Sequence, residues 1–308
     1  MAKITIRGAM PRGVSRRRFL ASGVAAATII GVHSRRGSAQ DIKTIEAGKL
    51  TIGMNGDMPM TQLKDGKLSG TDGELMIYVA EKLGLEPSIV QMDWAALIEA
   101  TKQGKVDVMH GAMGWIEPRT KIMNLSEAIY YFGTLLAQKS ANNFSTFADM
   151  QGRSVGTVTG FTLVPELKGV EGIGEVKLYD TSDGVLQDLV AGRLDMAILD
   201  PPLVQWGIVQ HPEWDIKQVE LQPNTEKYPI MSTKYNVIFG VTKEEKALEE
   251  AMSKIILEDI WPNCINVKTM SNYGMGDKSW FIPPDVNPRS GVDRPAEYKS
   301  PTAAHCFT

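Results

Sequence analysis

The strongest constraint in this sequence is an alternation of strand and helix patterns that occurs in two separate runs. In the first run, the strand-like stretch KLTIGMN at residues 49–55 precedes a helix-like stretch that stops at Gly84. A second strand, a second helix that stops at Gly104 and a third strand, VDVMHG, follow. Strand–helix–strand units of this kind form a mostly parallel sheet with right-handed crossovers. The pattern therefore predicts an α/β fold.

A second run of the same kind begins after YYFGTLLAQKS and ends near Pro201-Pro202, which is typical of a helix start. A weak internal repeat links the two runs. QGKVDVM at residues 103–109 matches AGRLDMA at residues 191–197 in a glycine, a basic residue, an apolar residue and an aspartate. The chain then returns to the first run through the strand-like YNVIFGV and a long amphipathic helix. We expect two Rossmann-like α/β lobes with a cleft between them.

These patterns also give the lobe boundaries. Lobe 1 is predicted to consist of residues 47–138 and 234–282, and lobe 2 of residues 139–233. Two crossing segments, near residues 136–142 and 228–236, would form a two-segment hinge. Because open α/β sheets bind ligands beyond the carboxyl ends of their strands, a ligand is expected in the cleft.

The C-terminal region changes character. Residues 283–308 form a proline-rich tail without a periodic apolar pattern, for which we expect extended structure and a mobile end. The two cysteines of the chain are Cys264 and Cys306. In an oxidising compartment they could form a disulfide that pins the tail, or they could remain two unpaired thiols. Their separation in sequence does not decide between these alternatives.

Residues 1–39 are predicted to be an export signal. Arg16-Arg17 precedes an uncharged run that is shorter than the roughly 20 residues needed to span a bilayer. Small residues before Gln40 suit cleavage near Ala39. The arginine pair resembles the twin-arginine signal, which is an address read by a receptor rather than an anchor. We therefore expect a periplasmic protein.

The charge of the mature chain excludes one class of partner. The leader holds eight basic residues and no acidic ones, so its removal from 33 basic and 36 acidic residues leaves a formal charge of −11. Nucleic-acid binding requires a basic surface. We therefore expect no nucleic-acid partner.

Arg119 is the first candidate binding residue. The stretch MHGAMGWIEPRTK places it just after Glu117-Pro118, which is typical of a helix start following a buried strand. The planar guanidinium of arginine binds both oxygens of a carboxylate. Asp200 lies at the matching strand end in the second run. A zwitterion needs one such cation and one separate anion, so opposite lobes could hold it together. Asp200 could equally serve as the N-cap of the helix after it, and both roles can coexist.

Four stretches in order carry a family resemblance: GKLSGTDGEL, MDWAALIEATKQGKVDVM, EPRTKIMNLSEAIYY and ILDPP. Over about residues 47–262 the chain resembles the family-3 extracytoplasmic solute-binding proteins of ABC importers, which have the type II periplasmic binding protein fold. The resemblance implies that Arg119 holds the α-carboxylate of an amino acid, that Thr162 adds a hydroxyl, and that Asp200 receives the α-ammonium.

The resemblance also implies residues around the rest of the ligand. Trp94 would form a wall over the ligand's side chain, although it could instead be a core tryptophan. Three residues of the loop after the first strand would read side-chain identity: Asn55, Asp57 and Met58. Gly111 and Gly114 stand where the family usually has serine or threonine hydroxyls. Gly114 can still offer its N–H, and the small residues leave space for a bulkier ligand.

Metal and cofactor chemistry find little support. No two of the four histidines have ligand spacing, and Cys264 stands apart from them in sequence. The sequence contains no nucleophile elbow, dinucleotide-binding fingerprint or phosphate-binding loop. We expect no metal, no cofactor and no enzymatic activity.

The predicted function is capture of an amino acid or related zwitterion, carboxylate or cation by a monomer, and its delivery to an ABC permease. One alternative is an enzyme, because the same scaffold resembles periplasmic cyclohexadienyl (prephenate) dehydratases. Its acid would be recruited from Glu117 or Glu166 near the cleft. Another alternative is a soluble receptor that serves a separate sensor.

Overall fold

The computed structural model describes residues 42–284, 291–292 and 297–307. The predicted export signal lies outside these residues. Among them, no helix combines the length and the hydropathy required to cross a membrane.

Fourteen strands and eight α-helices make up the described fold. The strands are β1 Lys49–Met54, β2 Gln62–Lys64, β3 Lys67–Ser69, β4 Glu86–Gln91, β5 Val108–Met109, β6 Met123–Leu125, β7 Tyr130–Phe132, β8 Leu135–Lys139, β9 Ser154–Val158, β10 Glu175–Tyr179, β11 Met196–Leu199, β12 Ile216–Glu220, β13 Tyr235–Val237 and β14 Gly240–Thr242. The helices are α1 Thr71–Leu83, α2 Trp94–Lys102, α3 Glu117–Ile122, α4 Val164–Lys168, α5 Ser182–Val190, α6 Pro201–Gln210, α7 Lys246–Ile255 and α8 Ile265–Ser271.

Two five-stranded sheets form the centres of two lobes. The first has the order β4-β1-β5-β14-β6, in which β1 pairs parallel with β4 and β5, and β14 is antiparallel. The second has the order β10-β9-β11-β8-β12, in which β9 pairs parallel with β10 and β11. The predicted α/β class with two similar lobes is therefore confirmed.

The internal repeat has a structural counterpart. Asp107 accepts a hydrogen bond from the backbone N–H of Thr51 at the start of β1, at 2.7 Å. Asp195 accepts one from Ser154 at the start of β9, at 2.8 Å. Each aspartate also donates its own N–H back to the carbonyl of the same partner. The two matched aspartates thus fasten equivalent strands in the two lobes, because each satisfies a backbone donor at a strand start.

A glycine stands two residues further along each of these strands. A Cβ atom on Gly53 would lie 2.3 Å from Leu97 Cδ1, and one on Gly156 would lie 2.3 Å from Leu194 Cδ1. Both glycines therefore let a leucine side chain pack directly on an interior strand of the sheet in its lobe.

The crossing between the lobes differs in part from the prediction. β8, which the sequence placed at the first crossing, pairs with β11 and β12 in the second sheet, so the chain crosses at Gly133 and Thr134. The strand-like YNVIFGV divides into β13, which pairs with β7 in a two-stranded hinge sheet, and β14, which enters the first sheet. The hydroxyls of Thr134 and Tyr235 bond to each other at 2.7 Å and tie the two crossings together.

The tail also differs from the expected mobile end. Cys264 and Cys306 form a disulfide, which selects one of the two alternatives left open by the sequence. Ala303 is fully buried, so the described part of the tail is docked on the protein.

We predict that Gly156→Ala lowers the free energy of unfolding by about 1–3 kcal/mol, because overpacking displaces the Leu194 side chain. Gly133→Ala is the matched control: its Cβ would meet no atom closer than 3.8 Å. That control should change stability by less than about 0.5 kcal/mol. Urea unfolding of both variants measures the difference, and equal midpoints and slopes would contradict the packing role of Gly156.

Candidate functional site

Arg119 lies in the first turn of α3, with Pro118 at the start of the helix as predicted. Its side chain is only 4% exposed. Nη1 donates to the carbonyl of Gly114 at 2.6 Å and to Thr162 Oγ1 at 2.9 Å, and Nη2 donates to the carbonyl of Gly160 at 2.9 Å. Because Gly160 and Thr162 follow β9 in the second lobe, this one guanidinium bonds to both lobes.

Trp94 at the start of α2 completes this contact. Its Nε1 donates to the same Gly160 carbonyl at 3.4 Å, and its ring meets the edge of Phe161 at 6.3 Å between centroids. Arg119 Cζ lies 5.9 Å from the centre of the Trp94 ring. Trp94 is 3% exposed. Trp94 is therefore a buried core residue that lies beside the Arg119 guanidinium.

The site retains hydrogen-bond donors for a ligand. Three of the five guanidinium N–H groups have the partners given above, which leaves the Nε–H and one N–H on Nη2. The N–H of Gly114 also has no partner among the described residues. A Cβ on Gly114 would lie 3.0 Å from Thr162 Oγ1, so a serine there would crowd the hydroxyl beside Arg119.

Asp200 stands at the end of β11, directly before α6. It occupies the N-cap position, but its side chain makes no capping hydrogen bond. Its carboxylate oxygens have no hydrogen-bond partner within the described ranges, and no basic nitrogen there lies within the 4 Å of an ion pair. The carboxylate is therefore left available to a ligand.

Burial and charge shape the protonation of these groups. Burial raises the pKa of Asp200 well above its usual value, and the carboxylates of Asp72 and Asp57 raise it further, whereas the Arg119 guanidinium opposes them. Burial lowers the pKa of Arg119 to about 10, which leaves it charged at neutral pH. Asp200 is thus surrounded by one guanidinium and two further carboxylates, and this excess of negative charge favours an added positive charge.

Asp57 and Met58 line a side cavity rather than the space around Arg119. The carboxylate of Asp57 accepts a hydrogen bond from Ser182 Oγ at the start of α5, which links the two lobes a second time. Burial raises the pKa of Asp57. The cavity of about 270 Å³ between the lobes is also lined by Asp183, Trp206 and Trp214.

Asn55 lies on the other side of the same loop. A Cβ on Gly111 would come within 2.9 Å of Asn55 Oδ1 and 3.3 Å of the Trp94 ring, and Gly111 has a φ of +128°. Only glycine suits both the conformation and this close approach. Thr61 fixes Asn55 by donating to its Oδ1 at 3.3 Å. The structure therefore brings Asn55, Gly111 and Trp94 together.

Asp72 is a site residue that the sequence analysis did not single out. It is fully buried in the first turn of α1, where its Oδ2 accepts from the N–H of Ala112 at 2.6 Å and its Oδ1 from Tyr130 Oη at 2.8 Å. Ala112 has a φ of +54°, which is rare for a residue with a Cβ. Asp72 therefore holds the loop between Gly111 and Arg119 in its conformation. The sequence feature that could have pointed to Asp72 is its place in Gly70-Thr71-Asp72, at the start of a predicted helix.

His110 precedes this loop. It is fully buried, and neither ring nitrogen has a hydrogen-bond partner among the described residues. The ring instead meets the edge of Phe239 at 6.3 Å. Burial lowers the pKa of His110 to about 3, so the ring is neutral.

Cys264 does not stand apart from the histidines in space, as it does in sequence. His305 Nε2 lies 3.6 Å from Cys264 Sγ and 3.5 Å from Cys306 Sγ. Both sulfurs are bonded to each other, however, so this group offers no thiolate ligand in the form described.

The two carboxyl groups considered for acid catalysis have other partners. Glu166 accepts the backbone N–H groups of Ile230 and Met231 at 2.8 and 2.9 Å, and so holds the second crossing segment. Glu117 is exposed and pairs with Lys121 at 3.4 Å. Neither contact places a carboxyl beside Arg119.

A scan against protein families matches residues 50–260 to the bacterial extracellular solute-binding proteins, family 3. Among curated proteins, the chain is 25% identical over 173 residues to the probable amino-acid-binding protein YxeM of Bacillus subtilis, covering 55% of this chain and 66% of that protein. It is 28% identical over 163 residues to the L-cystine-binding protein TcyJ of Escherichia coli, covering 51% and 61%. The chain thus spans less than two thirds of the length of these two relatives.

Among solved structures, an ancestral arginine-binding protein bound to arginine is similar, with a TM-score of 0.64 and 26% identity. The superposition covers 73% of this chain and 98% of that one. This neighbour confirms the predicted type II periplasmic binding protein fold.

We predict that Asp72 makes stability fall as pH rises. Its pKa is raised by burial from 3.8 to about 6, so between these values the native state binds more protons than the unfolded state. The free energy of unfolding of the wild type, relative to that of Asp72→Asn, should fall by about 2–3 kcal/mol between pH 4 and pH 7. Urea unfolding at several pH values measures this. Tyr130→Phe should extend the fall to higher pH, because the lost donor stabilises the charged form. A difference that does not change with pH would contradict the prediction.

Proposed function

Since the chain belongs to the bacterial extracellular solute-binding proteins of family 3, we propose that its cleft captures a small polar zwitterion, an amino acid or a derivative, and delivers it to the permease of an ABC importer. One observation carries this proposal: a buried guanidinium shared by both lobes keeps two free N–H donors near the half-buried Asp200 carboxylate, which has no partner of its own.

The head group of the ligand fits these groups in a defined way. Its α-carboxylate accepts from the Nε–H and Nη2–H of Arg119, which lie on neighbouring atoms of the planar fork, and from the N–H of Gly114. Thr162 stabilises the complex through Arg119, to which its hydroxyl is already bonded. Asp200 receives the α-ammonium, whose positive charge stabilises the desolvated carboxylate.

The side chain of the ligand is placed toward Asn55, Asp57 and Met58, with Trp94 as a wall. Because Asp57 and Asp183 add negative charge at the side cavity, a cationic side chain is favoured there. Among the solved neighbours, one ancestral arginine-binding protein has arginine bound, and an ancestral arginine-binding protein in a second structure has glutamine bound. The space beside Gly111 and Gly114 is filled by Asn55, Trp94 and Thr162, so these glycines do not enlarge the room for a ligand as the sequence suggested.

The place of action is extracytoplasmic, as in the family. We propose that residues 1–39 direct twin-arginine export and are removed near Ala39, which leaves a periplasmic monomer. Delivery of the ligand to an ABC permease is likewise part of what we propose.

The first experiment is a thermal-shift screen of the mature protein after refolding to remove bound ligand. The panel holds amino acids, their derivatives, polyamines, small carboxylates and prephenate. A ligand at 100 times its Kd stabilises the fold by about 2.7 kcal/mol, which is readily resolved. Response to prephenate, followed by product formation, would replace binding with catalysis as the function.

We predict that Arg119→Ala loses about 2–5 kcal/mol of binding free energy for the ligand identified, because a desolvated charge partner disappears. Thr162→Ala should lose less, about 0.5–1.5 kcal/mol, because only a neutral partner of the guanidinium is removed. Titration calorimetry measures both. Glu117→Gln, on the same helix but exposed, is the matched control and should bind as the wild type does. Full affinity in Arg119→Ala would refute the assignment of the carboxylate site.

We also predict that affinity for an ammonium-bearing ligand falls as the pH is lowered. The pKa of Asp200 is raised, so its carboxylate takes up a proton at higher pH than an exposed aspartate does. Below that pKa, affinity should drop by up to about tenfold per pH unit. Asp200→Asn should bind weakly and with little dependence on pH. A pH-dependent affinity that survives in Asp200→Asn would assign the titration to another group.

A further inference from the structure

The chain continues past the family match, which ends at residue 260. α8 follows, and beyond it two described segments, residues 278–284 and 297–307, lie against lobe 1. We call these two segments the C-terminal strap. Their contacts show what the addition to the family fold does.

The strap is fastened to lobe 1 by an aromatic cluster. Phe281 is fully buried and meets the rings of Trp261 and Phe307 at 6.4 and 5.8 Å between centroids. The Phe281 carbonyl accepts the N–H of Ala303 and the hydroxyl of Thr302, which joins the two segments to each other. Tyr298 donates to Glu127 Oε2 at 2.6 Å.

The disulfide closes this arrangement. Cys264 lies in the turn before α8 and Cys306 in the last turn of the strap, 42 residues apart in sequence with Cα atoms 5.9 Å apart. It is the only covalent link between the strap and the rest of the described chain apart from the backbone. The disulfide therefore keeps the end of the strap attached to the turn before α8, even if the exposed non-covalent contacts of the strap break.

The strap touches both segments of the hinge. Tyr131 in β7 donates its hydroxyl to the carbonyl of Pro301 at 2.7 Å, and the neighbouring Phe132 ring meets the Trp280 ring at 6.2 Å. On the other crossing, Lys234 Nζ donates to the carbonyl of Ser279 at 2.9 Å. Opening of the hinge sheet, in which β7 separates from β13 or from lobe 1, must change these contacts.

A cavity separates part of lobe 2 from the strap. A cavity of about 410 Å³ has Ser279 and Trp280 on one side and the lobe-2 residues Pro201, Leu221 and Pro223 on the other. The strap therefore contacts lobe 1 and the hinge sheet, whereas this cavity separates Ser279 and Trp280 from the nearest part of lobe 2.

We propose that the C-terminal strap is a redox-sensitive brace of the hinge. With the Cys264–Cys306 disulfide intact, the strap holds β7 and the end of the second crossing in one arrangement. A dithiol that reduces the bond supplies two electrons and two protons, yields two protein thiols and becomes a disulfide itself. The last turn of the strap then loses its anchor, and the hinge sheet opens more often. This brace acts on the hinge whatever the cleft binds, so it does not rest on the proposed ligand.

Hydrogen–deuterium exchange of the ligand-free mature protein tests the brace. In the double variant Cys264→Ser/Cys306→Ser, amides of β7 and β13 should exchange about tenfold faster than in the oxidised wild type, because local opening becomes easier. Amides of β9, an interior strand of the lobe-2 sheet, should exchange at an unchanged rate. Dithiothreitol-reduced wild type should match the double variant.

Trp280→Ala keeps the disulfide and removes the ring that packs on Phe132. It should also speed exchange in β7 and β13, whereas Phe144→Ala, which removes a ring that packs on Arg153 within lobe 2, should not. Unchanged hinge exchange in the double variant, with protection lost only at residues 297–307, would overturn the proposal. So would equal acceleration in β9, because the effect would then be global rather than confined to the hinge.

Discussion

The guanidinium of Arg119 is the charge on which the arrangement of the cleft depends. A buried cation needs hydrogen-bond partners, and Arg119 finds them on both lobes: the Gly114 carbonyl on its own side, and the Gly160 carbonyl and Thr162 hydroxyl across the cleft. The lobes must therefore meet for the guanidinium to be satisfied. The same contact draws Trp94 against Phe161, so closure also buries aromatic surface.

A second buried charge positions the first. Asp72 holds the N–H of Ala112 in a loop whose backbone would otherwise resist its positive φ, and Tyr130 in the hinge sheet shares the same carboxylate. The loop before Arg119, the start of α1 and the hinge strand β7 thus meet at one side chain. A displacement of the hinge strand is thereby transmitted to the loop that carries Gly114, since both bond to Asp72.

Much of this could be predicted from the sequence because it depends on local patterns. Strand and helix periodicity identified both lobes, and Arg119, Thr162 and Trp94 proved to be neighbours because each follows a strand that ends at the cleft. The repeat correctly pointed to equivalent positions, Asp107 and Asp195. The first crossing was placed too late because the pattern of β8 is the same whichever sheet it joins. The role of the Gly160 carbonyl could not be predicted, because every residue has a main-chain carbonyl whatever its side chain. Asp72 was missed because an acidic residue in the first turn of a helix is usually exposed to solvent.

The charge balance of the cleft gives the ligand its role in closure. The carboxylates of Asp72 and Asp57 both act on Asp200, yet only Asp72 and Asp57 have hydrogen-bond donors of their own. Closing the lobes without a ligand therefore buries the Asp200 carboxylate unpaired, or forces it to take up a proton, and either outcome opposes closure. An ammonium beside Asp200 removes that penalty, and a carboxylate on Arg119 uses donors that the protein leaves free. The zwitterion that we propose as ligand would do both at once, so we expect it to stabilise the closed lobes by more than either charge alone: its ammonium pairs with Asp200, and its carboxylate with the free N–H groups of Arg119.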